Sequence, residues 1–366
     1  MEIIKHGIIT PKGISKFRYN AWPSVVTLNN GELLCAWSGN RLGHVCPFGK
    51  VMISRSTDGG HTWRPPYVAV DTPLDDRDAG LCIANNGNII LTSFTNSRKL
   101  QSHFKSLSDF NKTEESKTLV DAYLSMITDE DEKRFLGSTL SISTDNGYSF
   151  STPTLMPITS PHGPCVLLDG RILYVGRSFS DPSLASFEFL PDAIYALILT
   201  NDGKVNEKPY LIADKPKYDE SAFFCEPHAA VMPDGSILLA IRVERKNKPF
   251  TIYLSRSTDG GKTFSTPVET GWTGAPPHIF VTKSKVVVIV YGKRCDAYGE
   301  YARISNDSGY TWSDEILLHS APNGDLGYPC TTQNANGELV TVYYQKEELF
   351  DDYVGPNLIH YTIWKL

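Results

Sequence analysis

Ser54-Arg55-Ser56-Thr57-Asp58-Gly59-Gly60-His61-Thr62-Trp63 returns three more times along the chain. The copies are Ser141-Ile-Ser-Thr-Asp-Asn-Gly-Tyr-Ser-Phe150, Ser255-Arg-Ser-Thr-Asp-Gly-Gly-Lys-Thr-Phe264 and Arg303-Ile-Ser-Asn-Asp-Ser-Gly-Tyr-Thr-Trp312, with a weaker fifth at Leu199-Thr-Asn-Asp-Gly203. Each reads as the end of a strand, a tight turn and an aromatic. Asp58, Asp145, Asp259 and Asp307 accept backbone N–H bonds across the turn, and the glycine takes positive φ. These aspartates are therefore read as structural, and the aromatic that follows as tucking back between neighbouring sheets.

A second repeat is interleaved with the first. Ala21-Trp22-Pro23-Ser24 runs through Asn30-Gly31 to Trp37, and Asp78-Ala79-Gly80 runs through Asn86-Gly87 to Leu91. Further copies start at His162, Glu226 and Tyr328 and turn at Asp169-Gly170, Asp234-Gly235 and Asn336-Gly337; one from His278 turns at Lys283-Ser284-Lys285 instead. Asn-Gly or Asp-Gly between apolar runs is a strong hairpin signal. Six hairpins, five of them followed by a turn motif, predict an all-β chain: a six-bladed β-propeller, because each sheet buries both faces only against two neighbours. The last copy is a strand short, and residues 2–10 are expected to supply it and close the ring. The whole chain, 1–366, is read as one domain. The rhythm breaks at about 98–137, where charges at helical spacing predict a partly helical insertion in blade 2.

Composition agrees with this reading and excludes several classes. The 366 residues carry 28 Gly, 23 Pro, 18 Tyr and 16 Phe with only 21% charged residues, a pattern of short strands and many turns. The net charge of -6, without a dense Lys/Arg cluster, argues against nucleic acid as a partner. No apolar run reaches the roughly 18–20 residues of a membrane span, and the start at Met1-Glu2-Ile3-Ile4-Lys5-His6 lacks a signal-peptide core. Seven cysteines, an odd number without a CxxC pair, read as reduced and buried. The expectation is a soluble, cytoplasmic protein. No metal-ligand spacing, phosphate loop or nucleotide fingerprint is present, so no cofactor and no metal are expected.

In a propeller the starts of the inner strands converge on one face of the channel, where ligands bind. Those starts hold Arg18, Tyr19, Asn20 and Trp22, then Asp75, Asp76, Arg77 and Asp78, then His162, Glu226, His228, His278, Asp325 and Tyr328. So polar a set points to a ligand site. Arg242 and Arg294 close two inner hairpins, with Arg303 a rival for the second place. Two guanidiniums aimed at one point select a carboxylate, hence an acidic carbohydrate as partner.

With these residues in view the chain resembles the sialidase (neuraminidase) superfamily and its Asp-box repeats, over nearly its whole length. The resemblance implies Glu226 and Arg242 on either side of Asp234-Gly235, a tyrosine nucleophile at Gly327-Tyr328, and Arg294 as a member of an arginine triad holding the substrate carboxylate. Two departures stand out. The Arg-Ile-Pro triplet of the family is Ala21-Trp22-Pro23 here, which removes the first triad arginine and leaves Arg18, three residues earlier, as a substitute. The loop expected to carry the acid/base aspartate, 41–50, has no carboxylate; His44 stands there, and Asp76 and Asp78 are the other proton donors on offer.

The parts predict a retaining exo-glycoside hydrolase of a terminal acidic sugar: Tyr328 attacks, Glu226 takes its proton, and Arg242 with Arg294 holds the carboxylate, helped by Arg18, Asp76, Arg77, His162, His228, His278 and Trp22. Catalysis is assigned to Tyr328, Glu226, Asp78 and His44. Two other readings stay open. A uronate lyase would use His or Tyr as base, since His44, His162, His228 and His278 make the mouth rich in histidine. A non-catalytic propeller would keep the arginines for binding alone.

Overall fold

The computed structural model describes residues 1–10, 16–105, 113–178, 188–215, 219, 221–347 and 356–366. Its strands fall into hairpin-built sheets, as the glycine turns predict. β6(Asp75–Ile83), β7(Ile89–Asn96), β8(Ser138–Ser143) and β9(Thr154–Met156) form one antiparallel sheet. A second holds β10(Cys165–Val166), β11(Ile172–Gly176), β12(Ile194–Leu199) and β13(Tyr210–Ala213). β14(Phe223–Val231), β15(Ile237–Glu244), β16(Thr251–Ser257) and β17(Val268–Thr273) form a third, and β18(His278–Val281), β19(Val287–Lys293), β20(Gly299–Ser305) and β21(Ile316–Ser320) a fourth.

The remaining strands make one eight-stranded sheet. It joins β22(Leu326–Gln333), β23(Leu339–Lys346) and β24(Asn357–Lys365) to β2(Tyr19–Thr27), β3(Leu33–Arg41), β4(Lys50–Ser56) and β5(Tyr67–Val70). The join is a single parallel pair, Tyr19 with Asn357. The N-terminal strand β1(Glu2–Ile8) lies antiparallel to β24, from Glu2 opposite Lys365 to Ile8 opposite His360.

The core lies between neighbouring sheets. Leu34, Ile53, Leu81 and Leu91 fill one interface, Ile90, Tyr174 and Leu197 the next, and Leu173, Ile198, Leu239 and Tyr253 the one after. Leu238, Ile252 and Ile289 continue the series, followed by Val288, Leu339 and Trp364 and then by Trp37, Val340 and Tyr361. The leading strands β2, β6, β10, β14, β18 and β22 touch one another in that order and return to β2. The fold is all-β and propeller-like, with the leading strands around the axis.

The turn motif works through two side chains. Asp259 accepts from Lys262 N and Thr263 N, both at 3.0 Å, and from Thr263 Oγ1 at 2.6 Å. Yet Asp259 itself is exposed, and the buried amide of the turn, Gly261 N, donates to Ser257 Oγ at 2.9 Å. Ser56, Ser143 and Ser305 take the same role for Gly60, Gly147 and Gly309. Trp63, Phe150, Phe264 and Trp312 pack half-buried against the inter-sheet cores.

Between β7 and β8 lie α1(Arg98–Lys105), α2(Glu114–Met126) and α3(Asp129–Phe135); residues 106–112 of the expected insertion lie outside the described residues. Val120, Leu124 and Ile127 bury against Leu42, Cys46 and Leu74, so the insertion braces the loop that carries His44. The seven cysteines are free thiols, five of them buried. Among the described residues no helix is long and apolar enough to cross a membrane.

Candidate active site

Four leading strands carry the same distortion. Trp22, Asp78, Glu226 and Tyr328 have φ of 56°, 50°, 46° and 54°, each where the pairing with the next strand skips residues. A β-bulge re-aims one side chain, and a left-handed non-glycine residue costs about 1–3 kcal/mol. The same strain at equivalent places marks these four as the positions turned toward the axis.

Two of them meet there. Tyr328 Oη donates to Glu226 Oε1, and Arg242 Nη1 donates to Glu226 Oε2 at 2.6 Å and to Tyr328 Oη at 3.3 Å. Arg242 Nη2 reaches Glu244 Oε1 at 2.7 Å. Burial, and then the neighbouring Glu226, hold the Tyr328 phenol well above its usual pKa of 10, so it is protonated and depends on an acceptor for its proton. Glu226 is that acceptor.

Arg294 enters from the next sheet, its Nε on Leu326 O at 2.9 Å and its Nη2 3.3 Å from Tyr344 Oη. Arg242 and Arg294 lie 4.1 and 5.8 Å from the centre of one ring, Phe250, and Arg294 with Phe250 lines a cavity of about 160 Å³. Both guanidiniums stand beside one ring, and of the two Arg294 alone lines that cavity. Arg303 stacks instead on Trp272 and bonds Tyr291 and Ser313, in the wall between sheets.

Asp78 shares a second cavity, of about 110 Å³, with Glu226, Glu244, Arg177, Phe94 and Phe223. Its carboxyl is buried and its Oδ1 has no hydrogen-bond partner. Burial pushes its pKa up to about 7; Arg77 opposes that rise and Glu226 adds to it. Asp78 thus holds a proton near neutrality inside a cavity that also contains an acceptor carboxylate.

Other expected residues stand elsewhere. Asp76 is fully buried and bonded to Thr72 N and Thr72 Oγ1 at 2.8 and 3.0 Å, which gives it a loop-holding position. Trp22 is 1% exposed, too deep to stack on a sugar, and carries the Arg77 guanidinium on its face at 4.0 Å. Arg77 Nη1 donates to His44 O at 2.8 Å. Arg18 precedes β2, half-buried, its carbonyl accepting from Asn20.

The histidines divide into two groups. His44 is exposed at the mouth. His162, His228 and His278, expected at the mouth as well, are buried below it: their rings cluster at 4.3–5.7 Å, and His162 lies 6.4 Å from the ring of Tyr328. They line an opening of about 350 Å³ formed by the far ends of the leading strands. His228 stands two residues beyond the Glu226 bulge and so points down the channel; His278 opens β18 in unbroken pairing and His162 precedes β10. His228 Nδ1 accepts from Ile279 N and His278 Nδ1 from Thr331 N, so each Nε2 carries the hydrogen and is unsuited to ligate a metal. Among the described residues no group of His, Cys, Asp or Glu is arranged to hold a metal ion.

Sequence reasoning missed Arg41 and Arg177. Arg41 ends β3 and Arg177 directly follows β11, as Arg242 nearly ends β15, and the pattern Gly-Asn-Arg41 and Gly-Arg177 was the available signal. Arg41 is fully buried and bidentate to Asp75, which also accepts from Gln101 of α1.

The repeats and the ring of leading strands define a propeller-like, all-β protein built on BNR-type repeats. The chain belongs to the BNR repeat-like domain family, which matches residues 31–341. No curated protein matches it in sequence. Among solved structures it resembles a protein of unknown function from Dyadobacter fermentans, with TM-score 0.73, 23% identity, and 99% and 98% of the two chains covered. It also resembles the NanB sialidase of Streptococcus pneumoniae (0.69, 13%, 98% and 70%) and a Penicillium chrysogenum α-L-arabinanase complexed with arabinobiose (0.62, 15%, 99% and 98%). At these identities the likeness is one of fold.

Proposed function

We propose that this protein is a retaining exo-glycoside hydrolase of a terminal acidic sugar, sialic acid or a relative, on six four-stranded blades. In this reading the eight-stranded sheet is two blades, the first and the last, joined by the Tyr19–Asn357 pair. The observation that carries the function is the Tyr328–Glu226 hydrogen bond bridged by Arg242.

Tyr328 Oη attacks the anomeric carbon as Glu226 takes its proton. The bond to the leaving oxygen breaks while Asp78 donates a proton to it. Water then displaces the sugar from Tyr328; Asp78 recovers its proton from that water, and Glu226 returns one to the phenolate. Arg242 and Arg294 hold the carboxylate. A neutral phenol suits an anomeric centre beside a carboxylate, which would repel an anionic nucleophile. The burial of His162, His228 and His278 beneath the site favours this reading over a lyase that uses them as bases.

The test is a panel of acidic aryl glycosides and oligosaccharides, followed by mass spectrometry of rapidly quenched reactions. A sugar adduct on Tyr328 is expected. A product with new ultraviolet absorbance from a C=C bond would replace the hydrolase with a lyase, and binding heat without turnover would replace it with a binding protein.

A further inference from the structure

His44 is held at both ends while its ring stays open to water. Its carbonyl accepts from Arg41 Nη2 at 2.9 Å and from Arg77 Nη1 at 2.8 Å. Its Nδ1 lies 3.0 Å from Tyr19 Oη, and Tyr19 Oη lies 3.3 and 3.5 Å from the two oxygens of Asp325. The ring stands edge-on to Trp22 at 5.0 Å. With the hydroxyl donated to Asp325, Tyr19 accepts from Nδ1–H, and Nε2 is left for a ligand.

The Trp22 ring beside His44 lies 6.3 Å from the ring of Tyr328, over which Arg294 stands at 5.6 Å. The charges acting on the imidazole are Arg77 on β6, Arg41 on β3, Arg294 after β19 and Arg242 on β15, against Asp325 behind Tyr19, Asp75 paired with Arg41 and Glu226 paired with Arg242. The ring reaches water through the mouth, but the surrounding bowl of protein strips most of its solvent. That desolvation, and then the four arginines, hold the imidazole neutral, well below the usual 6.5.

We propose that His44 takes up a proton when the carboxylate of an acidic sugar enters between Arg242 and Arg294, and that the imidazolium so formed is a third positive contact for that carboxylate. The inference rests on the carboxylate-clamp reading above. The anion offsets part of the arginine field that keeps the ring neutral, and the proton in turn strengthens the hold on the anion; linkage makes the two effects equal. Ala21 stands in blade 1 where the family pattern has an arginine, so the clamp gains its third charge only when loaded. Arg77, held against Trp22 and the His44 carbonyl, fixes the loop rather than supplying that charge.

The experiment is calorimetric titration of the full chain with N-acetylneuraminic acid between pH 5 and 8, in buffers of different ionisation enthalpy. Expected are uptake of up to one proton per ligand and affinity that rises as pH falls, by up to about tenfold per pH unit. Asp78 also takes up protons near neutrality, so variants separate the two. In His44→Gln the acid-side uptake and its pH dependence vanish while arginine-dependent binding remains; in Asp78→Asn they persist. An NMR titration of the His44 ring, free and liganded, reads the same change directly. Binding without proton uptake, or uptake unchanged in His44→Gln, overturns this inference and leaves the clamp standing. Absence of binding at every pH overturns the clamp and this inference with it.

Discussion

Glu226 and Tyr328 sit at equivalent bulges of two leading strands, at φ of 46° and 54°, and the phenol of one donates to the carboxylate of the other. The strain is the same at both because the repeat is the same, and it turns both side chains toward the axis from sheets that are not adjacent. Removing either partner separates chemistry from folding. Tyr328→Phe keeps the ring and its packing and is expected to lower turnover by at least about a thousandfold, and Glu226→Gln by about 10²–10⁴-fold. Full turnover in Tyr328→Phe would remove the nucleophile.

In the proposed mechanism Asp78 is expected to set the alkaline limb of activity. Its proton is present below about 7 and lost above it, so kcat is expected to fall as pH rises through neutrality. Asp78→Asn should abolish that limb and slow glycosides with poor leaving groups far more than activated aryl ones. A pH profile identical to that of the unmodified protein would sink the assignment.

The clamp depends on guanidinium shape. Arg294→Lys preserves charge but loses the fork that spans Leu326 O and Tyr344, and a roughly 10–100-fold weaker affinity for an acidic sugar is expected, with little change for a neutral one. Equal losses for both ligands would indicate a structural role instead.

Glu300, on β20, is fully buried with both carboxyl oxygens unpartnered. Burial pushes its pKa from 4.5 up to about 8, with Arg294 opposing. In the unfolded chain this group ionises above about 4.5, so the folded state loses relative stability as pH rises from there to about 8. Glu300→Gln is therefore expected to gain on the unmodified protein across that window, by a few kcal/mol at most, with near equality at pH 4. Urea unfolding at pH 4 and pH 8.5 reads the difference; a gap that shrinks with rising pH would contradict it.

The turn motif offers a stability test divided between two residues. Ser257→Ala strands the buried Gly261 amide and is expected to cost about 1–3 kcal/mol, more than Asp259→Ala at the exposed end of the same turn. The reverse order in thermal melts would return the main role to the aspartate.

The sequence by itself determined the turns, the hairpins, the helical interruption and the closing strand, because each is written in neighbouring residues: Asn-Gly for a hairpin, Ser-x-Asp-x-Gly for the turn, helical charge spacing at 98–137. It also marked Tyr328, Glu226, Arg242 and Arg294 as candidates, through their places in a repeat. Only the tertiary structure decided which way each side chain points. A strand alternates its faces and a bulge shifts that alternation by one, so His228 descends the channel to join His162 and His278 while Asp78 and Glu226 share a cavity. The pairing of Asp76 with Thr72, of Arg41 with Asp75 and of His44 with Tyr19 joins residues that no local pattern couples. Those distances arise when separate sheets close around one axis, and the burial that sets each charge state arises with them.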